Sequence, residues 1–327
     1  MSNKIKLEIR NMTKLYKNND GVRNINLKVN EGELVTLLGP SGCGKTTILR
    51  TIGGFLNCDQ GSILIDGKPI EHLPPEKRPT AMVFQNYNLW PHMMVYENMA
   101  FGLKLRKIPK AERHRQIMEM LDLVKMTGME NKYPNQLSGG QQQRIAIARS
   151  LLLKPEVLLL DEPFSALDAK IRSQMREELR KIQIDLNITV VFVTHDQEEA
   201  MALSDRIVVM NKGSFEQIGT PAEVYNNPIN RYVAGFIGDM NFIEQGGKTI
   251  AVRPENILIQ KGTGDGITGK VRATMVLGHY SEVTVDTYHG IIKAFVPCEN
   301  SEIFQSGETV TLTFSKYHEF AKDDIAS

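Results

Sequence analysis

Residues 39–46 read Gly-Pro-Ser-Gly-Cys-Gly-Lys-Thr, a full match to the pattern G-x-x-x-x-G-K-[ST]. In such a loop the backbone must wrap a phosphate closely, and Gly42 and Gly44 leave N–H groups free to point inward. Lys45 reaches the β- and γ-phosphates of a nucleoside triphosphate, and the Thr46 hydroxyl enters the coordination shell of Mg²⁺. Gly39, Pro40, Ser41, Cys43 and Thr47 complete the nucleotide-binding set. A second constellation closes the run Val157-Leu158-Leu159-Leu160-Asp161-Glu162-Pro163. An apolar strand that stops in two carboxylates places both at its carboxyl end, where the phosphate loop also sits. Asp161 can hold Mg²⁺ directly or through water, and Glu162 can polarise the water that attacks the γ-phosphate. The chemistry to expect is hydrolysis of a nucleoside triphosphate.

Those residues need a strand–loop–helix unit to hold them, and the flanks supply one: residues 33–38 read as a buried strand and 46–52 as a helix start. Alternation at Ile5, Leu7, Ile9 and at Ile25, Leu27, Val29 predicts two half-buried strands as an antiparallel entry to the sheet. Further strands are expected at 62–65, ending in an Asp66-Gly67 turn, and at 81–84. From 93 to 153 the pattern is helical, broken at Pro109, Gly128 and Pro134, and reads as an insertion over about 86–155. Strand character returns at 157–160, 188–193 and 206–210 with helices between, which implies a largely parallel sheet. Past residues 237–241 short strands dominate, at 249–252, 257–259, 271–276, 282–285, 291–296 and 310–314, with a loop at 261–266. The expected fold is therefore α/β over 1–236, with a mainly parallel sheet and a helical insertion. A small β-barrel-like domain is expected over 237–327, its last ten residues frayed.

Composition narrows the class. In 327 residues, 41% hydrophobic and 24% charged is ordinary globular make-up with room for two domains. Lys+Arg 39 against Asp+Glu 38 leaves a net charge of +1, so no basic excess argues for nucleic acid as a partner. Cys43, Cys58 and Cys298 are an odd number without metal-ligand spacing, which suits a reducing cytosol. Cys43 lies inside the phosphate loop, so bound nucleotide is expected to slow its alkylation. The opening residues lack the apolar run of a signal peptide, and the most apolar stretch, 150–160, is interrupted by Lys154, Pro155 and Glu156. The expectation is a chain that does not cross a membrane unaided.

Residues 137–144, Leu-Ser-Gly-Gly-Gln-Gln-Gln-Arg, open a helix that continues Ile145-Ala146-Ile147-Ala148-Arg149. A helix N-terminus with free N–H groups beside two glycines can meet an anion. With this motif between the two nucleotide motifs, the chain resembles the ATP-binding cassette ATPases. Further matches follow at Tyr16, at Gln85 after Met82-Val83-Phe84, at Ser165-Ala166-Leu167-Asp168 and at His195 after Val193-Thr194. The resemblance implies that Tyr16 stacks on adenine and that Gln85 senses the γ-phosphate and its metal. It implies also that Asp168 lies at a cassette–cassette interface and that His195 contacts the γ-phosphate. Ser138, Gly139, Gly140 and Gln141 would bind the γ-phosphate held by a second copy, so that a homodimer closes on two ATP and two Mg²⁺.

The resemblance covers roughly residues 4–235. The tail, with Val252-Arg253-Pro254-Glu255-Asn256-Ile257, is similar to the accessory (TOBE-like) domain of importer ATPases. Such ATPases sit peripherally on the cytoplasmic face of the membrane, drive transmembrane permease subunits and depend indirectly on an extracellular substrate-binding protein. The motif 235–241 and the short tail look closer to polyamine, ferric-iron and phosphonate importers, with quaternary-amine importers also possible. The alternative is a soluble cassette ATPase of DNA repair or translation. Those relatives carry a long coiled coil or tandem cassettes, and the chain shows neither sustained heptads nor a second phosphate loop. Residues 86–101, with Leu89, Trp90, Pro91, Met93, Met94 and Tyr96, either dock a partner helix or pack on the cassette's own sheet. The basic run Lys104, Arg106, Lys107, Lys110, Arg113 and Arg115 reads as a solvated helix face or a surface for anionic headgroups.

Overall fold

The N-terminal alternation builds β1 (Ile5–Leu15) and β2 (Gly21–Asn30), paired antiparallel from Leu7↔Val29 to Leu15↔Gly21. The computed structural model describes residues 4–18, 20–299 and 304–321 and divides into two compact units between Ala222 and Glu223. In the first unit, β3 (Leu34–Leu38) is buried at every residue and feeds the 39–44 loop into α1 (Lys45–Gly53). Gly44 has φ 102°, and a Cβ there would lie 2.3 Å from Val22 Cγ1, so both conformation and space demand glycine. At the other end of α1, Arg78 donates to the carbonyls of Thr51 (2.6 Å) and Ile52 (2.8 Å). A cation there satisfies terminal carbonyls and complements the helix dipole. β4 (Gln60–Ile65) returns beside β1 and turns through Asp66 (φ 48°) and Gly67 (φ 73°) into β5 (Lys68–Pro69).

β6 (Thr80–Val83) leads into three helices, α2 (Val95–Leu105), α3 (Lys110–Leu123) and α4 (Gly139–Leu151). The chain then alternates through β7 (Val157–Asp161), α5 (Ala169–Asp185), β8 (Thr189–Thr194), α6 (Gln197–Leu203) and β9 (Arg206–Asn211). β10 (Ser214–Gly219) folds back on β9. The sheet runs β10-β9-β3-β8-β7-β6, parallel except for β10. Its period-2 faces are both apolar, as a parallel sheet covered on two sides requires. Val35, Leu37, Leu159 and Val191 face a core shared with Ile48, Leu49 and Ile52 of α1 and with Leu7, Ile9 and Val29 of β1 and β2. Leu34, Leu158, Leu160 and Phe192 face Ala146, Ile147, Met175, Leu179 and Leu203 of α4, α5 and α6.

This arrangement corrects one expectation. β1 and β2 do not enter the parallel sheet; with β4 and β5 they form a separate antiparallel sheet, β2-β1-β4-β5. Their apolar faces cover α1, and burial of a face outweighs pairing at an edge. The insertion has its own core of Val95, Met99, Leu103, Ile117, Leu121, Ile145 and Leu152. The 86–101 run divides: Leu89 and Tyr96 pack on that core beside Val95, Met99 and Ala100, Trp90, Met93 and Met94 are half-buried, and Pro91, His92 and Phe101 are exposed. Part of the basic run is engaged locally, Arg115 with Glu112 and Glu119, Arg106 with the Leu153 carbonyl and Arg113 with that of Ile108.

α7 (Pro221–Asn226) crosses the division, and the second unit continues with α8 (Arg231–Phe236). Among the described residues eight strands follow: β11 (Asn241–Gln245), β12 (Lys248–Val252), β13 (Ile257–Lys261), β14 (Ile267–Val276), β15 (Tyr280–Thr287), β16 (Gly290–Pro297), β17 (Thr309–Phe314) and β18 (His318–Ala321). They make two antiparallel sheets, β11-β12-β18 and β13-β17-β14-β15-β16, around a barrel-like core of Ile243, Val252, Val271, Val283, Val285, Ile292, Val310 and Leu312. Arg253, buried, donates to the carbonyls of Tyr225 (2.9 Å), Asp239 (3.0 Å) and Ile237 and lies 4.0 Å over the Tyr225 ring. β18 replaces part of the expected frayed end; residues 322–327 lie outside the described residues.

Candidate active site

Parallel pairing brings four loops to one edge of the sheet. Leu38 pairs with Thr194, Asp161 with Val193 and Val83 with Leu160, so the residues that follow each strand emerge side by side. Lys45, 5% exposed, donates Nζ–H bonds to the carbonyls of Gly39 (2.7 Å) and Pro40 (2.9 Å), and so sits folded inside its own loop. Thr46 Oγ1 donates to Asp161 Oδ1 at 3.0 Å. Burial pushes the Asp161 carboxyl up from its ordinary value, against the opposing pull of the Thr46 hydrogen bond.

Glu162 follows with φ 44°, a left-handed conformation that side-chain-bearing residues rarely adopt, and its N–H donates to the Val193 carbonyl at 3.0 Å. The turn aims its carboxylate between two neighbours. His195 Nδ1 lies 3.2 Å from Oε1, and Gln85 Nε2 reaches Oε2 at 3.4 Å and Ser165 Oγ at 3.2 Å. The Tyr16 hydroxyl lies 3.2 Å from Thr47 Oγ1, its ring 46% exposed, and Pro40, Ser41 and Gly42 are exposed on the outer side of the loop. Cys43 differs from the expectation for its thiol. Its side chain is 4% exposed in the core and burial pushes its pKa up, so nucleotide has no accessible thiol there to protect.

Ser138, Gly139, Gly140 and Gln141 form a separate feature at the start of α4. Ser138 Oγ accepts from Gln141 N–H (3.4 Å) and Gln141 Oε1 accepts from Ser138 N–H (2.9 Å), a reciprocal cap. A Cβ on Gly139 would lie 3.1 Å from Leu167, and one on Gly140 3.0 Å from Ile171. Asp168, exposed, caps α5 by accepting from Ile171 N–H at 3.0 Å. The structure thus joins Lys45, Thr46, Asp161, Glu162, Gln85 and His195 in one cluster, while the Ser138 cap stands apart.

The groups that anchor Thr194 and Asp196, on either side of His195, stand outside the motifs read from the sequence. Thr194 donates its hydroxyl to Glu199 Oε2 (2.6 Å) and accepts from Asp196 N–H (3.0 Å), while Asp196 caps α6 and takes Arg172 Nη1–H at 3.0 Å. Arg172 also donates to the Leu167 carbonyl at 3.1 Å. The Asp196-x-x-Glu199 spacing is a capping pattern that could have signalled this network; Arg172, remote in sequence, left no signal.

A family model described as ABC transporter matches residues 22–165, and one described as TOBE domain matches 250–321. The spermidine/putrescine import ATP-binding protein PotA of Mesoplasma florum is 45% identical over 314 residues, 88% of this chain and 89% of that protein. The chain belongs to the ATP-binding cassette family of transporter ATPases. The protein of the same name from Mannheimia succiniciproducens is 52% identical over 238 residues, 73% of this chain but 64% of that protein, so this chain matches just under two thirds of its length. Two solved structures share the cassette fold. CbiO1 of Clostridium perfringens, part of the ABC transporter complex cbiONQ, has a TM-score of 0.63 at 30% identity, covering 68% of this chain and 90% of that one. The cassette MJ0796, dimeric in a post-hydrolysis state with ADP and Pi, has a TM-score of 0.58 at 34% identity, covering 66% and 98%. The names of these relatives are those of transport proteins, and none is named for DNA repair or translation.

Proposed function

We propose that the chain hydrolyses ATP to drive an importer of polyamines, spermidine and putrescine being the solutes in its relatives' names. The observation that carries the ATPase part is the cluster of Lys45, Thr46, Asp161, Glu162, Gln85 and His195 at one sheet edge. Gly39, Pro40, Ser41, Gly42, Cys43 and Gly44 offer backbone to the phosphates, and Lys45 exchanges its two carbonyl partners for the β- and γ-phosphates. Thr46 Oγ1 and Asp161 Oδ1, two hard oxygen donors 3.0 Å apart, suit Mg²⁺, with Gln85 as a further ligand. Bound there, Mg²⁺ supplies neutralisation of phosphate oxygens. Glu162 accepts the proton of the attacking water, His195 and Gln85 hold that carboxylate in line, and Tyr16 offers its exposed face to adenine. The exposed Ser138–Gln141 cap and Asp168 serve a second copy, so that hydrolysis belongs to a homodimer.

In the same reading the protein works at the cytoplasmic face of the membrane with permease subunits, fed by a substrate-binding protein. Among the described residues no helix is long and apolar enough to cross a membrane. Uptake of radiolabelled spermidine tests the whole reading. In cells whose only copy carries Glu162→Gln, uptake should fall to background, and a wild-type copy should restore it. Full uptake in the variant strain would remove this function.

A further inference from the structure

Arg149 is a cation that no carboxylate answers. It lies in the last turn of α4, about three turns from the Ser138 cap. Its guanidinium donates to the carbonyls of Asn88 (2.9 Å) and Tyr87 (3.1 Å) and lies 4.8 Å over the Trp90 ring. Among the described residues it has no ion pair, and burial pulls its pKa below the ordinary value. A partly buried guanidinium held only by carbonyls and an aromatic face costs desolvation that a neutral side chain would avoid. Stability is a poor reason for it.

What Arg149 grips is unusual backbone. Tyr87 (φ 59°) and Asn88 (φ 47°) are consecutive left-handed residues with side chains, a strained arrangement that persists only when its surroundings enforce it. Gln85 lies two residues before this turn and Trp90 two residues after it. Trp90 is fixed in its own right. Buried Asn98 of α2 accepts from the Trp90 N–H (2.9 Å) and donates to the carbonyls of Trp90 (3.1 Å), Met93 (3.0 Å) and Met94 (3.2 Å), while the Trp90 ring lies 4.6 Å from Phe101. A continuous line of contacts therefore runs from the Glu162 carboxylate through Gln85 and the strained turn to Arg149, Trp90 and α2.

We propose that Arg149 is a positioning residue that locks the 85–90 segment to α4, so that a change at Gln85 moves Trp90 and α4 as one body. The proposal rests on the reading that Gln85 meets the γ-phosphate end of bound ATP. Two carbonyls are matched by the fork of a guanidinium, and lysine offers the charge without that fork.

Trp90 is the single tryptophan of the chain, so its emission reports on this segment alone. The test adds the magnesium complex of a non-hydrolysable ATP analogue to the full-length protein and follows Trp90 emission, with analogue binding measured separately by equilibrium dialysis. Wild-type protein is expected to bind the analogue and change its emission. Arg149→Met should bind the analogue as wild type does yet lose most of the emission change, and Arg149→Lys should keep part of it. Gln85→Ala, which leaves Arg149 in place, should lose the same change; Arg149→Lys, which keeps the charge without the fork, serves if Arg149→Met does not fold, and an undiminished emission change in it overturns the proposal. A purely structural Arg149 would lower the melting temperature and leave the emission change intact, which overturns the proposal. Wild-type protein that binds the analogue with no emission change also overturns it; wild-type protein that binds no analogue overturns the nucleotide reading and the proposal together.

Discussion

Asp161 and Glu162 are adjacent carboxylates in opposite situations. Asp161 is 5% exposed beside Thr46, whereas Glu162 is turned outward by its left-handed backbone toward His195 and Gln85. Burial raises the Asp161 pKa above its ordinary 3.8. Between 3.8 and that raised value the folded state holds the extra proton, so stability falls as pH rises through the window, and the ionised group costs stability above it. Nucleotide-free Asp161→Asn is therefore expected to melt a few degrees above wild type at neutral pH, the gap closing as pH falls into the window. Differential scanning fluorimetry checks this, and a lower melting point at neutral pH would contradict it. The identities of Lys45, Asp161 and Glu162 were legible because short motifs state them. The bracketing of Glu162 was not, because Gln85 is 77 positions away and only the fold brings it near.

At the scale of elements, Lys6 ties together pieces that the sheets leave separate. Its ammonium, on β1 and 5% exposed, meets Asp66 (3.0 Å) in the β4–β5 turn, Glu156 (2.8 Å) before β7 and Glu31 (3.3 Å) after β2. Burial opposes its charge, but the hydrogen bonds to Glu156, Asp66 and Glu31 win and hold its pKa above the ordinary 10.5. Its contribution is thus complete below pH 10.5 and fades only as pH rises through the folded value. Lys6→Met removes the shared partner of three half-exposed acids and should cost about 1–3 kcal/mol, less than a fully buried pair would. A thermal melt should show a fall of roughly 2–4 °C per kcal/mol with nucleotide binding retained; an unchanged melt would show that the cluster is ornamental to stability. Alternation made β1 and β2 legible as strands but not which sheet they join, since period-2 burial names a face and not a neighbour. β10, β11 and β18 left weak signals because Ser214-Phe215-Glu216-Gln217 and His318-Glu319 mix polar residues into short runs.

For the whole molecule, the cassette places the cluster around Lys45, Asp161 and Glu162 and the Ser138–Gln141 cap as distinct features, which is the geometry expected if each copy completes the other's site. The order of the motifs made the cassette legible, and the change to short strands near 237–241 made the β-rich tail legible. The division between Ala222 and Glu223 was hidden, because the Arg253 guanidinium binds the Tyr225, Ile237 and Asp239 carbonyls and draws α8 toward β12 across a long sequence gap. The proposed solute leaves no mark on residues of this chain and rests on its relatives' names. In the proposed mechanism Glu162 activates water at a site assembled by the sheet edge. The rate of phosphate release from MgATP by purified Glu162→Gln, set against wild type, tests it most directly. A loss of about 10²–10⁴-fold with ATP binding retained is expected; hydrolysis at the wild-type rate would contradict a role for Glu162 in activating water.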